Sequence, residues 1–216
     1  LPAASGQSVP SGGSTTPDVL GVATPQPTVA VLAQNPVPDW IVGQAWIMDD
    51  AGDVNGDGYD DVIVNAQPTS WTDGLARIFN GSAAGLGSTP SWSLVYYHYA
   101  RGFGIGDVNG DGYDDMLQEI SGLSAYYGSP AGPPATASWQ VSGWYGHEAG
   151  NTGDVNCDGF DDLLVGNPYY SNGQEHEGIV AVYYGSPTGL GATPGWTMEG
   201  NEPNRYLGDK VAAAGD

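Results

Sequence analysis

Basic residues are nearly absent from this chain of 216 residues: Lys and Arg number 4 against 25 Asp and Glu, for a formal net charge of −21. A surface so short of cations repels phosphate backbones and anionic lipid headgroups, so neither nucleic acid nor a membrane surface is an expected partner. Cysteine occurs once, as Cys157, and no internal disulfide can form. Long apolar runs are missing as well. None approaches the roughly 20 residues of a spanning helix, and no membrane insertion is expected. Histidine is scarce (His98, His147, His176), with no His-x-x-x-His spacing and no Ser-His-Asp grouping. Nothing in the sequence sets up a nucleophile, a general base or a catalytic carboxylate pair, so the chain is not expected to be an enzyme.

What the chain has in quantity is turn formers and aromatics: 35 Gly, 16 Pro, 13 Tyr and 7 Trp. Many short strands joined by Gly, Pro, Asn and Asp turns give such a composition, and the expected class is all-β. Residues 1–38 stand apart. They hold seven prolines among Ser, Thr and Gly with little to bury, and read as an extended tail or linker. Within it, residues 28–32 (Thr-Val-Ala-Val-Leu) are apolar enough to be donated as a single strand.

From residue 39 onward the sequence repeats. Gly52-Asp53-Val54-Asn55-Gly56-Asp57-Gly58-Tyr59-Asp60-Asp61 recurs from Gly106 to Asp115 and from Gly153 to Asp162. An apolar run follows each copy. Further on comes a Gly-Ser turn (Gly81-Ser82, Gly128-Ser129, Gly185-Ser186), and then a tryptophan (Trp92, Trp139, Trp196). With Trp40 the tryptophans are spaced 52, 47 and 57 residues apart. That period suits units of four short strands, at about 41–92, 93–139 and 140–196, with a partial fourth over 197–216. The strands expected in the first unit are 44–51, 61–66, 75–80 and 92–98. Residues 207–215 read as the first strand of the fourth unit, and Asp216 as the first residue of an incomplete fourth acidic loop.

The three loops hold 12 of the 25 acids. Calcium takes six to eight hard oxygen ligands, and carboxylates alternating along a tightly turned backbone supply them. In the first loop the oxygen donors are Asp53, Asn55, Asp57, the carbonyl of Tyr59 and Asp61, at positions 1, 3, 5, 7 and 9. In the second they are Asp107, Asn109, Asp111, Tyr113 and Asp115. In the third they are Asp154, Asn156, Asp158, Phe160 and Asp162. Acidic turns without metal are the alternative, but four carboxylates within nine residues repel one another unless a cation lies among them. An EF-hand opens in the same way, yet it needs an acid at position 12, where Val64, Gln118 and Val165 stand, and flanking helices, where β-formers follow. Asp60, Asp114 and Asp161, at position 8, are expected to face outward or brace the loop. Cys157 replaces the glycine of the sister loops at position 4, which supplies no ligand.

These loops, the strand after each and the repeat length resemble FG-GAP repeats, the units of integrin α-chain propellers and of many bacterial extracellular proteins. Phe103-Gly104 and Gly166-Asn167-Pro168 match parts of the name-giving dipeptides. The resemblance implies β-propeller blades over residues 39–216, with one Ca²⁺ per loop. The expected role is structural or adhesive at the cell surface, with a protein, a glycan or another copy as partner; donation of the 28–32 strand of one copy to the open edge at 207–215 of the next would build a ring or filament. An accessory binding module of a larger secreted enzyme or adhesin is the alternative.

Overall fold

Twelve short strands make up the regular structure in a computed structural model that describes residues 45–66, 74–96, 101–119, 122–143 and 148–213. The tail with its 28–32 segment, Trp40, His98, His147 and Asp216 lie outside the described residues. Among those described there is no helix, and none therefore long and apolar enough to cross a membrane.

The first blade runs β1 (Ala45–Gly52), β2 (Asp61–Ala66), β3 (Gly74–Phe79) and β4 (Trp92–Tyr96). The second runs β5 (Gly102–Gly106), β6 (Asp115–Glu119), β7 (Gly122–Tyr126) and β8 (Trp139–Ser142). The third runs β9 (Glu148–Asn151), β10 (Leu163–Asn167), β11 (Ile179–Tyr183) and β12 (Trp196–Glu199). Each is an antiparallel sheet whose strands pair in chain order, the propeller-blade arrangement expected of the repeat. The first strands lie side by side, β1 against β5 and β5 against β9. Each acidic loop joins the first two strands of its blade. Each tryptophan is the first residue of the outermost strand. The chain from Leu207 to Ala213 has no strand of its own, only a parallel bridge from Leu207 to Gly178 of the third blade.

The core lies between the sheets. Ile63, Ala76 and Ile78 of the first blade pack with Met116 and Tyr126 of the second. Leu117, Leu123 and Ala125 of the second pack with Leu163, Val165, Ala181 and Tyr183 of the third. Strands buried on both faces explain why the apolar runs are continuous rather than alternating. Polar ties repeat across the seams. Trp92 Nε1 donates to the Pro134 carbonyl of the next blade at 3.1 Å, and its ring meets Tyr126 edge-on at 5.5 Å. Trp139 does the same with the Gly191 carbonyl, at 3.0 Å, and with Tyr183, at 5.2 Å. Asn65, buried at the end of β2, accepts from the Gly102 N–H and donates to the Gly102 carbonyl of the second blade. The seam is tight enough that a Cβ on Gly104 would come within 2.3 Å of the Asp50 carbonyl oxygen.

Candidate metal centre

Each loop is a turn tied by its own aspartates. In the first, Asp53 accepts the N–H of Asp57 through one oxygen (3.0 Å) and that of Gly58 through the other (2.7 Å), and Asp57 accepts the Tyr59 N–H at 3.1 Å. Asp107 and Asp154 accept the position 5 and position 6 N–H groups of their loops in the same way. The sequence dictates this geometry. Asp at a turn captures N–H groups a few residues on, and glycine at position 6 takes the left-handed backbone the turn needs.

The carboxylate at position 9 behaves differently. Asp61, Asp115 and Asp162 open or directly precede the second strand of each blade and are fully buried. One oxygen of each accepts the N–H of the Gly-Ser turn: Gly81 at 2.8 Å, Gly128 at 2.8 Å and Gly185 at 2.9 Å. The other oxygen of Asp115 and of Asp162 accepts from position 2, Val108 and Val155, each at 3.0 Å. The two sequence signatures of the repeat are therefore one device, in which the acidic loop is anchored to the Gly-Ser turn by a buried carboxylate. Burial pushes Asp61 up to about 6, with the Gly81 N–H pulling back down. Burial pushes Asp115 up to about 8 against two backbone N–H bonds, and Asp162 is raised for the same reason.

The donor set of positions 1, 3, 5, 7 and 9 is thus brought to one end of each blade. Among the described residues, no three His, Cys, Asp or Glu side chains are gathered into a metal cage as they stand. The Asn109 and Asn156 amides instead donate to Asp111 and Asp158. The chemistry still fits a hard cation. The acids at positions 1 and 5 lie at or near the surface, a carboxylate oxygen that accepts one N–H keeps a second lone pair, and the charges that act on the buried Asp61, Asp115 and Asp162 are the acids of their own loops.

Of the two expectations for position 8, Asp60 is exposed while Asp114 and Asp161 brace a loop, the preceding one rather than their own. Asp114 accepts the Asp53 N–H of the preceding loop at 2.7 Å, and Asp161 accepts the Asp107 N–H at 3.1 Å. Backbone bonds run beside them, from Asp114 N to the Asp53 carbonyl and from Asp161 N to the Asp107 carbonyl. The aromatic at position 7 also reaches back. Tyr113 lies over Gly56 and Phe160 over Gly110, where a Cβ would come within 2.4 Å and 2.5 Å of the ring. Consecutive loops are thereby latched by residue types that recur in all three copies, an aromatic at position 7 and an aspartate at position 8.

No curated protein matches the chain significantly. The FG-GAP repeat family model matches residues 148–183, the span from β9 through the third acidic loop to the end of β11, in agreement with the family that the three loops and their following strands resemble.

Proposed function

We propose that this chain is a calcium-stabilised structural module of the extracellular space, with one Ca²⁺ in each acidic loop and no catalytic activity. The observation that carries the reading is the threefold recurrence, between the first two strands of every blade, of one oxygen set closed by a buried aspartate. The ligands are Asp53, Asn55, Asp57, the Tyr59 carbonyl and Asp61, with Asp107, Asn109, Asp111, Tyr113 and Asp115, and Asp154, Asn156, Asp158, Phe160 and Asp162, in the same roles. Three divalent ions would offset six of the formal negative charges. Extracellular calcium modules bind at about 10⁻⁴–10⁻³ M. At millimolar calcium and the tighter end of that range, each filled site adds about 1.4 kcal/mol by mass action. The same sites are nearly empty at cytosolic calcium, which ties the reading to the cell exterior.

Calorimetric titration with CaCl₂ tests it. Three equivalents are expected for the wild type and two for each of Asp53→Ala, Asp107→Ala and Asp154→Ala, with melting temperatures that fall in EDTA. No heat and no stabilisation would end the proposal. Light scattering in calcium and in EDTA separates a monomeric module from one that assembles.

A second reading, an accessory module that binds glycan or protein within a larger secreted protein, is favoured by an aromatic group on the third blade. Tyr169 meets His176 and Tyr206 edge-on at 5.6 and 6.0 Å, and His176 stacks on Tyr206 at 5.6 Å. His176 and Tyr206 hold left-handed backbones (φ 49° and 52°), a strained conformation for such side chains. Binding to a glycan panel that is lost in Tyr206→Ala, with calcium stoichiometry intact, would favour this reading.

A further inference from the structure

The two seams between blades differ by one ring. In the second seam the Tyr127 side chain crosses from the second blade to the third. Its hydroxyl oxygen accepts the Leu190 N–H at 3.0 Å, and a Cβ on Gly189 would come within 1.9 Å of that oxygen. In the first seam the residue in the place of Tyr127, directly before the Gly-Ser turn, is Asn80. The receiving side changes with it. Gly132 stands where Gly189 does, and a Cβ on it would meet nothing within 4 Å. Pro133 stands where Leu190 does and has no N–H to give. The tryptophans fix this correspondence, since Trp92 donates to the Pro134 carbonyl and Trp139 to the Gly191 carbonyl, each two residues past that glycine.

Where the ring is missing there is a cavity of about 310 Å³, at the small end of the range for ligand pockets. Asn55, Asp57, Asn80 and Ser91 line it with carboxamide, carboxylate and hydroxyl groups, and Trp92 and Pro130 line it with apolar surface. Asn80 accepts from the Ser91 hydroxyl, and its amide nitrogen donates no hydrogen bond within the described residues. This mixture suits a neutral pyranose. Such a ring has C–H faces to set against Trp92 and Pro130, and hydroxyls at its rim that both donate and accept. A phenol suits it less, because the N–H that holds the Tyr127 hydroxyl in the second seam has no counterpart here. An anion would meet Asp57 and a chain of formal net charge −21.

We propose that the first seam binds a neutral pyranose in the slot that Tyr127 fills in the second, and that Asn80 is the residue that opens it. The site is separate from the aromatic group on the third blade. It rests on the shape of the seam and not on calcium in the first loop.

The test is an NMR titration of the full chain with the methyl pyranosides of glucose, galactose and mannose, and with phenol, following the Trp92 indole N–H. At least one pyranoside is expected to shift that signal saturably. Asn80→Tyr restores the ring and is expected to abolish the shift. Ala131→Phe blocks the slot from an exposed turn position, is expected to abolish the shift too, and decides the matter if Asn80→Tyr does not fold. Thermal melts establish which variants are folded. Titrations are run in CaCl₂ and in EDTA, and a shift in either counts as binding, so an empty calcium loop does not count against the slot. No shift with any pyranoside overturns the proposal. So does a shift with phenol alone, or a pyranoside shift that persists in a folded blocking variant, since the sugar would then sit elsewhere.

Discussion

At the scale of single residues, adjacent aspartates in one loop do unlike work. Asp115 is buried and anchors its own loop to the Gly128 N–H, while its neighbour Asp114, half-buried, holds the Asp53 N–H of the preceding blade. Burial and the nearby charges of Asp161, Asp107 and Asp53 raise the Asp114 pKa, so its latch works against repulsion. Asp114→Ala removes a hydrogen bond to a charged acceptor and relieves that repulsion. The expected net cost is about 1–2 kcal/mol in urea unfolding in EDTA, at the low side of the range for such bonds. Asp114→Asn keeps an acceptor without the charge and is expected to cost less than the alanine, and Asp60→Ala, at an exposed position with no latch among the described residues, to change stability by under about 0.5 kcal/mol. If all three variants unfolded alike, the latch would carry no stability. The loops themselves were legible from the sequence, because Asp and Gly at fixed spacing between apolar runs mark a tight turn. The latch was not, because it depends on the separation of two blades, which no local pattern encodes.

At the scale of the strand, β2, β6 and β10 are the second strands of their blades and stand at equivalent places, yet they differ at loop position 12. Val64 and Val165 are fully buried, and the equivalent Gln118 is as well. Neither its amide nitrogen nor its carbonyl oxygen has a hydrogen-bond partner among the described residues. An unpaired buried polar group costs about 1–3 kcal/mol, whereas a near-isosteric apolar side chain would keep the packing. Gln118→Met is therefore expected to raise stability by about 1–2 kcal/mol, read as a higher urea midpoint with an unchanged slope. A loss of stability would mean that the amide is satisfied. The strands were readable because the acidic loop separates the first two strands of each blade, the Gly-Ser turn follows the third and the tryptophan opens the fourth. Residues 207–215 were read as a strand from the same local signals, and the described part of them, 207–213, does not form one. A strand needs a ladder partner, and Leu207 bridges Gly178 instead.

At the scale of the whole molecule, the surplus of acid means that most ionisable groups held off their ordinary values are carboxylates raised by burial. Glu119, on β6, can be separated from the loops. Burial pushes it up to about 7, Arg101 pulls it down and Glu148 pushes it further up. Glu148 is itself paired with Arg101 at 3.1 Å and with Lys210, which joins the second blade, the third and the segment after it in one row of charge. The direction of the pH effect follows from proton uptake. Below about pH 4.5 Glu119 is protonated in both folded and unfolded chains and costs nothing. As pH rises towards 7 the unfolded chain releases the proton first, so stability falls, and above about 7 the penalty is complete and constant. Glu119→Gln holds the side chain neutral throughout. Thermal melts in EDTA are expected to show the variant matching the wild type near pH 4 and exceeding it at pH 8, with the gap opening between those limits. A gap of one size at every pH would place the effect in packing rather than charge. A gap of opposite sign would mean that the Arg101 pairing outweighs burial at this seam.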